Sequence, residues 1–145
     1  MIPDVNVLIA SSRSDHPHHE VARTWLESAL DRVMARDTAL GLLPMVATGF
    51  LRLVTHPKVF LEPTPEAEAW RYLEALRECP GVEALPLGPE WQRFRKLCRR
   101  LELAGNDVLD AWIAAAAREH RMPVVTLDRG FTRLLPGDSL ILLES

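Results

Sequence analysis

The chain has 145 residues, 48% of them hydrophobic and 26% charged, with 17 Lys and Arg against 20 Asp and Glu. That length suits one domain, the apolar share is too high for a disordered chain, and no apolar run approaches the ~18 residues of a membrane span. A formal net charge of −3 excludes a protein that coats nucleic acid through bulk positive charge, yet leaves room for an acidic pocket that grips phosphates through a cation. Cys79 and Cys98 have no Cys-x-x-Cys spacing and read as reduced, partly buried thiols of a cytoplasmic protein. Met1-Ile2-Pro3-Asp4 meets an acid at once and carries no basic leader, so no signal peptide is expected.

From the N-terminus, Ile2 to Ile9 is apolar with Asp4 and Asn6 set into it, and composition alone reads Val5 to Ala10 as strand. Pro17 to Ala35 is helical by spacing, with Val21, Trp25, Leu26, Ala29, Leu30 and Val33 on one face. Ala39 to Leu43 is a short strand stopped by Pro44, and Met45 to Val54 is a helix with Arg52 off its apolar face. Leu61 to Pro65 is the one linker-like stretch, too short to separate domains, so residues 1–145 are expected to form a single domain. Pro65 to Glu78 is a helix with Pro65 in its first turn, Val82 to Leu85 a short strand, and Pro89 to Leu103 a basic amphipathic helix. Asp107 to His120 is an alanine-rich helix with Asn106 or Asp107 near its cap. Pro123 to Leu127 is a buried strand and Ser139 to Leu143 a closing one. Short strands between longer helices predict an α/β fold with a largely parallel sheet, whose ligand site lies beyond the carboxyl ends of the strands.

Acids stand at those ends. The first strand runs into Asp4 and the strand from Val124 to Leu127 runs into Asp128, while Asp107 and Asp110 lie three residues apart in the first turns of one helix. In a parallel sheet all of these can converge on one edge. Ionised carboxylates at short range repel, and a hard divalent cation relieves the repulsion; oxygen ligands suit Mg²⁺ or Mn²⁺, which activate water and stabilise charge on a phosphodiester. Asp4 is the acid least easily explained as a turn residue, because it interrupts an apolar run. Asp110 reads equally as a favourable charge near a helix start, Asp128 as a turn acid before Arg129-Gly130, and Asp107 as a cap or first-turn acid before it reads as a ligand.

Asp4-Val5-Asn6-Val7-Leu8-Ile9 resembles the opening D-x-N-V-L motif of PIN-domain ribonucleases. Asp110-Ala111-Trp112-Ile113-Ala114-Ala115 resembles their D-A-x-I-A-A helix, and Thr126-Leu127-Asp128-Arg129-Gly130-Phe131 their T-x-D-x-x-F strand end. Gly49 to Phe60 resembles a segment of VapC-like toxins from bacterial toxin–antitoxin pairs. The resemblance runs from Ile2 to about Leu134. It implies a three-layer α/β/α sandwich around a short, largely parallel sheet. It also implies Mg²⁺- or Mn²⁺-dependent endoribonuclease activity, with Asp4 and Asp110 as metal ligands and Asp128 as a further catalytic acid. A cognate antitoxin protein and an RNA substrate are the implied partners, and a homodimer the expected assembly. In the family the first strand ends at the first acid and a short helix follows, which overrides the compositional reading of Val5 to Ala10. Asn6 is then either a support beside the site or a helix cap. Thr126 either orients Asp128 or is a β-branched strand residue.

The chain departs from the family in two places. Gly49 stands where many members carry a glutamate three residues before the arginine matching Arg52, which opens the number of metal ions; Asp107 is the acid placed to compensate. Pro3 is awkward in a central strand, so either the first strand is unusually short or the chain starts upstream. Arg13, Arg52, Lys58, Arg129 and Arg133 are candidates for RNA phosphates, with Arg52 and Arg129 best placed. His16, His18 and His19 read as a solvated helix start, lacking a supporting zinc partner. Trp25, Phe60, Trp70 and Trp91 read mostly as core, and the run Arg93, Arg95, Lys96, Arg99, Arg100 as a solvated helix face. The alternative to an enzyme is a non-catalytic RNA- or protein-binding module on the same fold.

Overall fold

In the computed structural model, which describes residues 1–144, short strands alternate with helices. The order is β1 (Ile2–Pro3), α1 (Val5–Ser12), α2 (His19–Met34), β2 (Leu40–Leu42), α3 (Pro44–Val54), α4 (Glu66–Glu78), β3 (Val82–Ala84), α5 (Trp91–Arg100), α6 (Asn106–Glu119), β4 (Val124–Thr126) and β5 (Leu140–Leu142). Two 3₁₀ turns, Arg129–Arg133 and Gly137–Ser139, lie between β4 and β5. No helix among the described residues is long and apolar enough to cross a membrane.

Every strand pairing is parallel. One ladder runs β1-β4-β5, with Ile2 opposite Val124 and Val124 opposite Leu140; the other joins β2 to β3, with Leu40 opposite Val82. The ladders meet where the Gly41 amide donates to the Met1 carbonyl at 2.8 Å, so across the junction the order is β3-β2-β1-β4-β5. Pro3 explains why the junction is a single bond. Ile2 and Asp4 donate to Pro123 and Val125 on the β4 side, both at 2.8 Å, so residue 3 faces β2, where proline has no N–H to give. Proline is tolerated in the middle strand because that strand is only two residues long.

Neighbouring residues of a strand point to opposite faces. Val124, Val125 and Thr126 are all fully buried, as is Leu40, so helices cover both faces and the α/β/α sandwich is formed. Ile2, Leu8, Leu43, Phe50, Val54, Ile113 and Phe131 fill the core around the sheet. Gly49 is where α3 closes on α1: a Cβ there would lie 2.9 Å from Val5 Cγ2. Arg13, 8% exposed, ties the α1 end to the α3–α4 connection. It pairs with Asp15, donates to Thr64 Oγ1 and the Glu62 carbonyl, and stacks over the Phe60 ring at 3.8 Å.

Several boundaries differ from the sequence reading for identifiable reasons. Val5 to Ser12 is helix, against composition alone but as the resemblance implied, because Asp4 ends the strand and its carboxylate accepts from the Val5 amide at 2.7 Å, capping the next turn. The basic helix stops at Arg100 rather than Leu103, since Glu102 takes a left-handed conformation (φ 52°) and Leu103 N–H returns to the Cys98 carbonyl. Gly105, not Asn106 or Asp107, occupies the cap of α6. Trp70 and Trp91 are 45% and 54% exposed rather than core; the buried stripe of α4 is Ala69, Leu73 and Leu76, and α5 buries only Leu97.

Three helices end alike, in a left-handed residue that is not glycine: Arg36 after α2, Glu102 after α5 and Arg121 after α6. After α2 the Arg36 amide reaches the Val33 carbonyl and the Asp37 amide the Arg32 carbonyl, both at 3.0 Å, the paired bonds of a Schellman end. A Cβ in this conformation costs about 1–2 kcal/mol. Arg36→Gly is therefore expected to raise the urea midpoint, with an unfolding free energy larger by up to about 1 kcal/mol after the added freedom of the unfolded chain is subtracted. Arg36→Val, β-branched in the same place, is expected to lower it. Equal midpoints for the two variants would contradict this account.

Candidate active site

The strand order changes direction between β1 and β4. From β1 the chain moves outward to β2 and β3, then returns to β4 and β5 on the other side. The carboxyl ends flanking such a switch point form an open crevice, because the connections leave in opposite directions. Asp4 follows β1 at this crevice; Thr126 ends β4 and Asp128 lies two residues beyond it.

Asp4 is 5% exposed, and both its oxygens are engaged. Oδ1 accepts from the Val5 amide at 2.7 Å and Oδ2 from Thr126 Oγ1 at 2.8 Å. The direction of the second bond follows from its neighbours. The Leu127 amide can only donate, and it reaches Asn6 Oδ1 at 3.1 Å, which fixes the orientation of the Asn6 amide. Asn6 Nδ2 then donates to Thr126 Oγ1 at 3.1 Å, and the Asp128 amide donates to the same oxygen at 3.0 Å. With both lone pairs occupied, the single hydroxyl proton goes to the Asp4 carboxylate. The Thr126 hydroxyl thus supports the Asp4 carboxylate directly, but reaches Asp128 only at its backbone amide, not at its carboxylate. Asn6 lies within α1 and links α1 to the end of β4; it does not cap a helix.

Asp110 sits partly buried in α6. Its carboxyl is pushed up to about 6 by burial, then by the charges of Asp4, Asp128 and Asp107, against a smaller opposing effect of Arg133. Burial is also the main reason that Asp4 is raised above the usual carboxylate range; its hydrogen bonds from Thr126 and Val5 oppose this, and the Asp128 charge adds to it. Asp110 therefore feels both Asp4 and Asp128 across the crevice. Asp128 is exposed, and its Oδ1 accepts from the Gly130 amide at 2.7 Å at the start of a 3₁₀ turn. Asp107 is drawn off to Arg133 at 2.6 Å. Among the described residues no three His, Cys, Asp or Glu side chains form a ready-made metal cage. The donor set still fits a hard cation: it is all oxygen and mutually repulsive, and Mg²⁺ binds through one or two carboxylates while keeping waters.

The other candidates disperse. Arg52 is exposed on α3 and makes no ion pair among the described residues. Arg129 pairs with Glu144 at 2.6 Å on the surface, and Arg13 is committed to the interior contacts above. His16 Nδ1 takes the His18 amide and His19 Nδ1 meets the Ala10 carbonyl, so these rings serve the entry to α2. Gly49 is buried against Val5, so α3 brings no acid at that position. Sequence reasoning passed over Glu90, 1% exposed, which accepts from the Gly88 amide and from Trp112 Nε1 and locks the start of α5 to α6. The Pro89-Glu90 start of an amphipathic helix was its only signal.

A parallel α/β/α sandwich with acids at its switch point has a known counterpart: the profile of the PIN domain matches residues 1–134. The chain belongs to the PIN-domain family. Ribonuclease VapC25 of Mycobacterium tuberculosis is 39% identical over 133 residues, spanning 90% of this chain and 89% of that relative. VapC ribonuclease Mb2897 of Mycobacterium bovis is 40% identical over 131 residues, spanning 90% and 86%. The fold recurs in the crystal structure of VapBC2 from Rickettsia felis bound to a DNA fragment from its promoter, with a TM-score of 0.65 at 16% identity, covering 97% of this chain and 95% of that one.

Two outcomes follow. An acid whose folded pKa is raised binds more protons in the folded chain than in the unfolded one between the two values, about 3.9 and about 6. Its stability contribution is therefore fullest below the unfolded value and is lost as pH rises through about 6. In EDTA, the melting temperature of Asp110→Asn should gain on the wild type as pH rises from about 4 to about 6.5, and stay ahead above that. A variant that melts below the wild type at neutral pH would remove Asp110 from the acid group. Thr126→Val keeps the shape of the side chain but strips a donor from Asp4 and an acceptor from Asn6 and Asp128. It should cost about 1–3 kcal/mol in urea unfolding, while Thr126→Ser retains most of the stability.

Proposed function

We propose that the chain is a metal-dependent endoribonuclease, the cytoplasmic toxin of a toxin–antitoxin pair. The observation that carries this is the acid group at the switch point, in which burial and the charges of Asp4 and Asp128 hold Asp110 near pH 6. It stands on a chain 39–40% identical to proteins named as ribonucleases. Asp4 and Asp110 are the residues that would hold Mg²⁺ or Mn²⁺, with Asp128 as a further acid of the site. Such an ion, when bound, supplies an activated water and offsets negative charge on the phosphodiester.

The remaining work falls to the chain's own side chains. Thr126 and the Val5 amide fix the orientation of Asp4, so that its lone pairs need not reorganise when charge develops nearby. Asn6 holds the β4 end against α1 and so keeps Asp4 and Asp128 in register. Arg52 and Arg129 are the candidates for RNA phosphates. The exposed Arg129–Glu144 pair is worth little, so exchange of its carboxylate for phosphate costs little.

The proposed partner is a small antitoxin that lays a basic side chain over the acids, where a guanidinium replaces the cation among carboxylates. The VapBC2 assembly from Rickettsia felis is the structural parallel that supports this. Exposed Val59, Leu61 and Trp70, on α4 and the segment before it, offer apolar surface for such a chain. We take the working toxin to be a homodimer, which a mass measurement in solution checks.

Purified protein free of inhibitor is expected to cut RNA with Mn²⁺ or Mg²⁺, to stop in EDTA, and to lose at least about 100-fold in rate on Asp4→Asn or Asp110→Asn, in line with removal of a charged catalytic group. Undiminished cutting in EDTA would sink the metal mechanism. Failure to cut any RNA would leave the non-catalytic binding module. Co-expression with the product of a neighbouring antitoxin-like gene should yield a stable complex in which cleavage is suppressed.

A further inference from the structure

The basic run on α5 is more than a solvated face. Arg93, Lys96 and Arg100 recur at i, i+3 and i+7, which sets them on one side of the helix. They line a groove of about 480 Å³ whose opposite wall is α6, with Arg118 as its fourth cation. Leu97 and Leu134 make the lining partly apolar. Among the described residues no carboxylate lines the groove; Glu119 reaches Arg93 from outside it, at a loose 3.7 Å. Arg118 also donates to Ser139 Oγ at 3.4 Å, which leads on to Asp138. Four cations thus line one groove, on a chain whose net charge is −3. Such a concentration of like charge costs free energy unless a polyanion answers it.

The groove is joined to the acid site by α6 itself. Asp110, Ala114 and Arg118 follow one another at i, i+4 and i+8 along one broad face, and Ala114 lines the groove. The two charged residues are about 12 Å apart along the helix axis. At the near end the Arg133–Asp107 pair clamps the 3₁₀ turn that delivers Leu134 to the groove.

We propose that this groove carries the single-stranded RNA that flanks the scissile phosphate, with Arg93, Lys96, Arg100 and Arg118 on its phosphates and the apolar lining against a base or sugar. The choice of RNA as occupant rests on the ribonuclease reading above. A single strand is favoured over a duplex because the cations line a groove between two helices instead of a broad convex face, and because the apolar patch offers an unstacked base a surface.

The test is equilibrium binding, in EDTA so that nothing is cut, of a fluorescent single-stranded RNA of about 12 nucleotides across a salt titration. Each phosphate contact on a single strand contributes about 0.7 to the slope of log K against log salt. Lys96→Gln/Arg100→Gln is expected to lower that slope by about 1.4. Referred to 1 M salt, this is about 25-fold weaker binding at 0.1 M. Arg71→Gln/Arg77→Gln, the same charge change on exposed α4 positions, should leave the slope where it is; melting curves of both variants confirm that the fold is retained. An unchanged slope in the α5 variant overturns the proposal, as does wild-type protein that binds no RNA. So does an α5 variant that binds RNA normally but loses its antitoxin, which would make the groove a protein surface. A chain that binds through the groove yet never cuts RNA leaves this inference standing while the catalytic reading fails.

Discussion

The bond from Thr126 to Asp4 joins the two halves of the molecule. Asp4 ends β1, caps α1 and carries a nearly buried carboxylate, and Thr126 is the last residue of β4, more than a hundred positions away. A buried carboxylate without donors costs several kcal/mol. The chain meets that cost by bringing β4 beside β1 and turning the Thr126 hydroxyl onto Oδ2. Asn6 completes the arrangement by fixing where the hydroxyl proton must go. The same side chains that satisfy the fold thereby set the position of the acid proposed to hold the cation. Stability and site geometry are here a single hydrogen-bond problem.

That coupling accounts for what the amino-acid order discloses. Asp4 was legible because an acid within an apolar run has few structural uses. The parallel sheet was legible because short apolar runs alternate with longer amphipathic ones. The support of Asp4 by Thr126 was not, because it spans the whole domain and needs the β1–β4 register to be known. From local order, Thr126 is simply a β-branched residue in a strand. Helix ends were the other weakness. A glycine would have marked the stops after α2, α5 and α6, but Arg36, Glu102 and Arg121 hold those left-handed positions, and nothing in their side chains signals it. Trp70 and Trp91 misled for a related reason: large apolar residues sit on helices whose buried stripes are too narrow to include them.

Charge is distributed against the chain's own average. The acids collect at the carboxyl ends of β1 and β4 and in the first turns of α6, while the cations of α5 collect about two helical turns away with Arg118. Neither group is explained by its own packing. Asp110, raised by burial and by the neighbouring acids, and the cations that face one another across a groove are both under-compensated within the monomer. The proposed substrate, with a phosphate to be cut and further phosphates on either side, would answer both at once.

The absence of an acid at Gly49 sharpens the role of the two acids on α6. Gly49 cannot gain even a Cβ without pressing on Val5, so that side of the crevice stays uncharged. Asp107 is partly neutralised by Arg133, which leaves Asp110 as the α6 carboxylate with no cation of its own. With its proton held until about pH 6, Asp110 is ionised for the most part at neutral pH, and a cation entering the crevice must compete only weakly with the proton there. Below that pH the competition grows, since a ligating carboxylate must first lose its proton. Arg133 adjusts the balance. It lies close enough to ease the repulsion on Asp110 a little.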